Sequence, residues 1–215
     1  RRRGRSLAVA GLTACGCFLV ASVSAMRANV ALHADQRGSG TGGFAIYAET
    51  SLPLAHAPRA TGVRAVPLRM RDGDEAGCLN LNHAQMPRVV GVPAATLAGM
   101  GAFYPKGAAE TGWGALETGA DFDKGIVPAL VGDADTAMWG MQVSVGDLLP
   151  YRDESGRAVS LKIVGHLPMR LSVFQGRLLI SETDFVRLFP SEAGFRAFLV
   201  DVTSGSANAA LASLN

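Results

Sequence analysis

A long uncharged segment near the N-terminus constrains this chain more than any other feature. No residue from 7 to 26 carries a charge, and arginines stand directly before it. As an α-helix rising about 1.5 Å per residue, the segment spans roughly 30 Å, the thickness of a bilayer's hydrocarbon core. We therefore predict a membrane-spanning helix over residues 7–26. Its apolar side chains, which would contact lipid, include Leu7, Leu12, Phe18, Leu19, Val20 and Val23.

The distribution of charge predicts the orientation of this helix. The first 27 residues hold five arginines and no acidic residue, whereas the rest of the chain has 15 basic and 18 acidic side chains. Basic flanks stay in the cytoplasm. Residues 1–6 are therefore predicted to be a cytoplasmic flank whose topology is set by Arg1, Arg2, Arg3 and Arg5. Because the excess positive charge is confined to this flank, we expect no nucleic-acid partner.

Three leader sequences compete with a retained helix. A signal peptidase site is conceivable at "VSA" before Met26, but the apolar stretch is longer than the usual core of a signal peptide. "LTAC", ending at Cys15, resembles a lipoprotein box, yet the apolar run continues well beyond Cys15. Arg2 and Arg3 match a twin-arginine signal only weakly. Length and flanks favour a retained helix, and a start at Arg1 rather than Met leads us to expect part of a longer protein.

The remaining chain predicts an α+β domain. Residues 27–37 are expected to continue the helix as a stalk, and residues 38–215 to form the domain outside the membrane. Hydrophobic periodicity and turn residues indicate short helices interleaved with strands and a hairpin, which is typical of an α+β fold. Strands are predicted at 44–50, mostly buried; at 63–71, where Pro67 suggests an edge or a bulge; at 88–92; at 125–133, running into a turn; and at 176–181 and 195–202.

Several further elements have recognisable signals. "DESG" separates two apolar runs as the turn of a hairpin does. Ser181, with Asp184 three residues later, is typical of a helix start, and Pro190 stops that helix. Shorter helices are predicted in "PAATLAGMG", in "ADTAMWGM", where Trp139 is expected in the core, and from residue 206 onward. The glycine-rich residues 104–125 are predicted to be a long partner-facing loop, with Tyr104 and Trp113 as contact candidates.

The glycines of "GSGTGGF" raise the question of a phosphate site. A P-loop needs Lys and then Ser or Thr after its last glycine, but Phe44 follows Gly43. A dinucleotide fingerprint needs a strand before the glycines and a helix after them, and here that order is reversed. The position between helix and first strand predicts a joint instead. Its hinge candidates are Gly38, Gly40, Gly42 and Gly43.

Signatures of catalysis and of metal binding are absent from the sequence. The four histidines, His33, His56, His83 and His166, form neither HExxH nor a zinc-type spacing. No G-x-S-x-G elbow is present. Cys15 and Cys17 fall in the apolar segment, which leaves Cys78 as a single thiol in the exported part. We predict no catalytic residue, no bound cofactor and no metal in this chain.

The order of motifs resembles the FtsX-like permease family of ABC transporters, which includes the MacB-type exporters and the lipoprotein-release permeases. "W-G…V-G-D-x-L" enters a hairpin, a strand ends in "I-V-G", and "L-L-I-S-E-x-x-F-x-R-L-F" gives a strand followed by a helix. The resemblance covers essentially the whole chain and is most specific over residues 126–202. It implies a MacB-like periplasmic domain attached to the first membrane helix of a permease.

The resemblance implies partners as well. Such permeases pair with a cytoplasmic ABC ATPase, which uses ATP and Mg²⁺, and with a second permease subunit or half. A periplasmic adaptor or a lipoprotein is a further expected partner, and the cell inner membrane is the expected location. Two alternatives stay open: a single-pass exported binding or sensor domain, and a secreted enzyme with a cleaved signal. The resemblance implies export or release of a substrate such as a lipoprotein, a peptide or a small hydrophobic compound.

Overall fold

The computed structural model describes residues 3–25, 33–58, 62–74, 84–107, 112–168 and 171–202, and the chain divides into two compact units, 1–32 and 33–215. In the first unit, α1 spans Arg3–Ala25. The helix covers most of the predicted membrane segment. Helices can form here without interruption because the segment contains no proline and its polar residues are small.

The second unit is built on one mixed sheet. Its strands are β1 (Ile46–Leu54), β2 (Val63–Arg71), β3 (Val89–Val92), β4 (Lys106–Gly107), β5 (Ile126–Val131), β6 (Leu148–Arg152), β7 (Ala158–His166), β8 (Leu178–Ser181) and β9 (Phe195–Val202). They are ordered β1-β9-β2-β3-β8-β5-β7-β4, with β6 also paired to β7. Two pairs, β3–β8 and β5–β7, are parallel. The predicted α+β class is confirmed.

Short helical elements connect the strands. They are α2 (Ala94–Gly99), a 3₁₀ helix at Gly112–Leu116, a single π turn at Thr136–Gly140, α3 (Glu182–Leu188) and a second 3₁₀ turn at Pro190–Glu192. The predicted cap at the start of α3 is confirmed, because the Ser181 hydroxyl accepts the N–H of Asp184 at 3.1 Å. The predicted hairpin is confirmed as well, with Asp153–Gly156 turning between β6 and β7.

The core lies on both faces of the sheet. On one face, α2 and the first 3₁₀ helix cover apolar residues of β2, β3, β8 and β9, and Phe103 and Phe174 fill the space between. On the other face, α3 packs against β3 and β8, and its Phe185 and Leu188 belong to a cluster that also holds apolar residues of β5 and β7. The strands that have apolar layers on both sides, β3 and β8, are accordingly buried along their whole length.

Two strand predictions need correction. β1 is not mostly buried: it is an edge strand, paired only with β9 among the described strands, and it continues through Pro53 to Leu54. β2 alternates as predicted; of the two interpretations of Pro67 the edge is wrong, because β2 is an inner strand, and the register shift against β9 supports the bulge. Pro67 is tolerated because β3 pairs only with residues 69–71, and the register shift against β9 comes after Leu68.

The predicted stalk and C-terminal helix fall largely outside the described residues. Of residues 27–37, only 33–37 are described, and they form turns rather than a continued α-helix. Residues 33–37 also belong to the same compact unit as the sheet. Cys78 and His83 lie outside the described residues, as does the helix predicted from residue 206.

Candidate functional site

The N-terminal helix is exposed along its described length. Residues 6–25 are long and apolar enough to cross a membrane, and none of that span is buried. A signal sequence at this position would meet the same criterion. The side chains predicted to face lipid are all more than half exposed, namely those of Leu7, Leu12, Phe18, Leu19, Val20 and Val23. A helix that is apolar all round requires apolar surroundings, so this surface suits a bilayer.

The glycine segment 38–43 lies against the domain core. A side chain at Gly40 would place its Cβ 1.7 Å from the carbonyl oxygen of Leu171, and one at Gly42 would meet the ring of Phe103 at 2.4 Å. Gly42 also has φ of +63°, a backbone conformation that glycine adopts without strain. Glycine is therefore required here because the backbone packs closely against its neighbours.

Arg37 holds this segment in place. Its guanidinium lies 2.5 Å from the carboxylate of Asp201 and donates to the carbonyl of Gly42 at 3.3 Å. It also stands 5.1 Å from the ring centre of Phe44. The carbonyl of Arg37 accepts the N–H of Phe103 at 2.7 Å. One arginine thus connects the segment before β1 to the end of β9 and to the aromatic core.

These contacts bear on both interpretations of the glycines. The N–H groups of Gly42 and Phe44 donate to carbonyls inside the turn, so neither is directed at a phosphate. The hinge role of Gly38, Gly40, Gly42 and Gly43 stays a prediction. A pivot within residues 38–43 would have to break the bonds of Arg37 and expose the Phe103 ring to water. No pattern in the sequence predicted a role for Phe103, because its contacts with Arg37 and Gly42 join residues that are far apart in the chain.

The two partner-contact candidates have different environments. Tyr104 is 58% exposed, and its ring lies 3.3 Å from where a side chain at Gly38 would begin. Trp113 is only 3% exposed, and its indole N–H donates to the carbonyl of Ala102 at 2.7 Å. Its prediction as a contact residue is wrong, because the 3₁₀ helix directs it into the core. Residues 112–116 are likewise no open loop.

The π turn presents the most exposed aromatic residue of the domain's described part. Trp139, predicted to be a core residue, is 72% exposed, and its neighbour Met138 is 62% exposed. The prediction fails because the wider π turn buries Thr136 and directs Met138 and Trp139 outward. Asp133 anchors the turn: its carboxylate accepts the N–H of Thr136 at 2.6 Å and that of Gly176 at 3.3 Å. An exposed Trp–Met pair on an anchored turn suits a contact with an apolar partner.

Ionisable side chains show no arrangement for metal binding in the described parts of the chain. No group of three His, Cys, Asp or Glu residues comes close enough there to hold an ion. His33 lies beside Gln36 on the surface, with 3.3 Å between the ring nitrogen and the amide nitrogen. Asp121 is paired with Lys124 at 2.8 Å. Asp121 also accepts the backbone N–H of Lys124 at 3.2 Å, so this carboxylate stabilises a turn.

No protein-family model matches the chain, and no curated protein matches its sequence.

Proposed function

We propose that this chain comprises the first membrane helix and the extracytoplasmic domain of an FtsX-like, MacB-type permease. One observation carries the proposal: an exposed apolar helix of bilayer length precedes an α+β domain in which the family-like motifs occupy matching elements. Trp139 and Gly140 form the end of the π turn, Val145–Asp147 leads into β6, and Ile163–Gly165 lies in β7. The strand-plus-helix motif is β8 followed by α3.

In this proposal the domain transmits motion and performs no chemistry. A cytoplasmic ABC ATPase hydrolyses Mg·ATP, and a second permease subunit or half completes the membrane unit. The sheet suits mechanical transmission, because its inner strands are buried on both faces and packed against α2 and α3. The exposed π turn then faces a periplasmic adaptor, a lipoprotein or another exported substrate. The proposed location is the inner membrane, with the domain outside.

A single-pass binding or sensor domain is the second candidate. The exposed pair Met138 and Trp139 favours it, since contact with an apolar partner requires neither an ATPase nor further membrane helices. The two proposals differ in what binds on the cytoplasmic side. A permease binds an ABC ATPase there, whereas a single-pass anchor with a short basic flank does not.

Co-purification with an ABC ATPase distinguishes the two candidates. The complete gene product is co-expressed with the ABC ATPase encoded beside it and purified from membranes through its own tag. We expect a stable complex that hydrolyses ATP, and no retention of an ATPase from an unrelated transporter, which serves as the control. A membrane-inserted, folded protein that retains neither ATPase contradicts the permease proposal and supports the binding domain.

Orientation and processing are tested separately. Trypsin added to spheroplasts is expected to digest the domain, and a cytoplasmic protein of the same cells is the control for intact membranes. Determination of the mature N-terminus tests retention of the helix. A protein beginning near Met26, or at a lipid-modified Cys15, would contradict a retained membrane helix and favour an exported protein with a cleaved leader.

A further inference from the structure

A cavity of about 410 Å³ lies beneath the π turn, where the parallel strands β5 and β7 end. Val131 and His166, the last residues of these strands, are direct partners in the sheet. Ligand sites of open α/β sheets lie preferentially outside the carboxyl ends of parallel strands. The volume falls within the range of about 300–1,000 Å³ that is typical of small-molecule pockets.

The walls of this cavity are mainly apolar. Val131, Ile163 and Gly165 lie at its base with almost no surface exposed to water, and the accessible apolar walls are formed by Ala137, Met138 and Val143. An apolar surface of this kind, open to water, favours a ligand with an apolar body. The side chain of Met138 adjusts its shape easily, which suits a wall that adapts to different ligands.

Three polar side chains line the same cavity: Gln142, Ser144 and His166. In the described part of the chain, none of these three side chains has a hydrogen bond to another protein group. A few polar groups around an apolar pocket fix the orientation of a ligand that offers a matching donor or acceptor. No lysine or arginine lines the cavity, so the lining offers no permanent positive charge to a carboxylate or phosphate.

The backbone around the cavity departs from regular geometry in three places. Gln142 has φ of +53°, which is uncommon for a residue with a side chain. The π turn occupies Thr136–Gly140, and the register between β5 and β7 shifts after Ala129. Strained residues, π turns and bulges concentrate at functional sites. The irregular backbone at Gln142, the π turn and the register shift therefore all lie beside this cavity.

We propose that this cavity binds small uncharged molecules that combine an apolar body with one hydrogen-bonding group. The apolar body rests on Met138 and Val143, and the polar group faces Gln142, Ser144 or His166. The inference goes beyond the proposed function and does not depend on it, because it concerns the described domain alone. Binding would hold whether the chain is part of a permease or of a single-pass receptor.

Fluorescence of Trp139 provides the test, because the other tryptophan, Trp113, is buried. The full chain in lipid nanodiscs is titrated with 4-bromobenzyl alcohol, whose bromine quenches indole fluorescence. We expect saturable quenching, which Trp139→Phe removes. Collisions and partitioning into lipid give quenching that rises linearly with concentration. Strictly linear quenching of the wild-type chain would overturn the proposal.

Two variants that fill the cavity locate the site. Ala134→Phe adds bulk to its wall, and Val145→Phe narrows its mouth from a position that is 38% exposed and therefore tolerant of substitution. Each is expected to raise the apparent dissociation constant at least about tenfold, equivalent to about 1.4 kcal/mol. Ala98→Phe, at an exposed position of α2, is the control and should leave quenching unchanged. Wild-type affinity in both cavity variants, or an equal loss in the control, would contradict this location.

Discussion

The guanidinium of Arg177 lies 2.5 Å from the carboxylate of Glu49, although 128 residues separate the two in sequence. Arg177 directly precedes β8, near the centre of the sheet, whereas Glu49 belongs to the edge strand β1. The hydroxyl of Tyr47 donates to the same carboxylate at 2.7 Å and accepts a hydrogen bond from Arg177. These three side chains therefore connect the edge strand to the segment that enters the sheet's centre.

Replacement of Arg177 by methionine should destabilise the domain. Arg177→Met keeps an apolar stem but leaves Glu49 and Tyr47 without their cationic partner. We expect the free energy of unfolding to fall by about 1–2 kcal/mol. The loss is smaller than for a fully buried ion pair, because the side chain of Glu49 is about one-third exposed and water screens its charge. Urea denaturation followed by circular dichroism measures the change. Arg152→Met, which removes an exposed hydrogen bond to Gly156, is the control with an expected change below about 0.5 kcal/mol.

The same group should make stability depend on pH. Burial alone would raise the pKa of Glu49, but the hydrogen bond from Tyr47 and the charge of Arg177 outweigh it and lower that pKa. An acid whose pKa is lowered by folding stabilises the fold above its unfolded pKa, about 4.3, and loses that contribution as the pH falls through the folded pKa. Urea midpoints between pH 6 and 3 should fall less steeply in Glu49→Gln than in the wild type. Equal slopes would exclude a contribution from Glu49.

Truncation of the two tryptophans should change the free energy of unfolding by very different amounts. Trp113→Ala removes a buried ring and its hydrogen bond to Ala102, and we expect a loss of about 3–5 kcal/mol in unfolding free energy. Trp139→Ala removes an exposed ring and should change that free energy by less than about 0.5 kcal/mol. Thermal and urea denaturation provide the measurement. A large loss in Trp139→Ala would mean that the π turn packs inward.

Substitutions in the glycine segment should affect folding according to what each added carbon meets. In Gly40→Ala the new carbon collides with the backbone carbonyl of Leu171, so we expect a loss of about 1–3 kcal/mol or more. In Gly38→Ala it meets only the exposed ring of Tyr104, which can move, and the cost should be small. Urea denaturation compares the pair. Equal stability of the two variants would contradict the close packing of Gly40.

The phosphate-site hypothesis has its own test. Saturable ATP binding by the wild-type chain would reinstate it.

Insertion of the N-terminal helix should be sensitive to charge at its centre. Leu19→Arg places a guanidinium in the hydrocarbon region, at a cost of about 2.5–3.5 kcal/mol. We expect a smaller fraction of the protein to resist alkaline carbonate extraction from membranes. Leu19→Ala, which shortens the side chain without adding charge, is the control and should remain membrane-bound. Equal retention of both variants would contradict a spanning helix centred on this segment.

Local sequence signals predicted those elements whose hydrogen bonds are local. The turn Asp153–Gly156, the cap at Ser181 and the alternation of β2 each depend on residues a few positions apart, and each was predicted. The order of the strands depends on distant pairings instead. Nothing near β1 in the sequence indicates that β9 is its one partner among the described strands, and so its exposure was not predicted.

The environments of individual aromatic residues were predicted least well. Trp113 stands among glycines, which suggested an exposed loop, yet contacts with Phe103 and Ala102 bury it. Trp139 stands in an apolar run, which suggested the core, yet one π turn rotates it outward. Both outcomes depend on backbone geometry fixed by distant contacts. For the same reason the cavity under the π turn could not be predicted, because β5, the turn and β7 meet there only in the folded domain.

The ion pair of Arg37 and Asp201 joins the two places where the chain enters and leaves the described sheet. Ile46, at the start of β1, pairs with Val200 near the end of β9, so these strands run antiparallel with both chain ends on one side. Tension applied between residues 33 and 202 would therefore first load this ion pair and then peel the β1–β9 ladder one bond at a time. Because β9 also pairs with β2, from Val63–Val202 to Arg69–Phe195, β2 would share the load applied at residue 202.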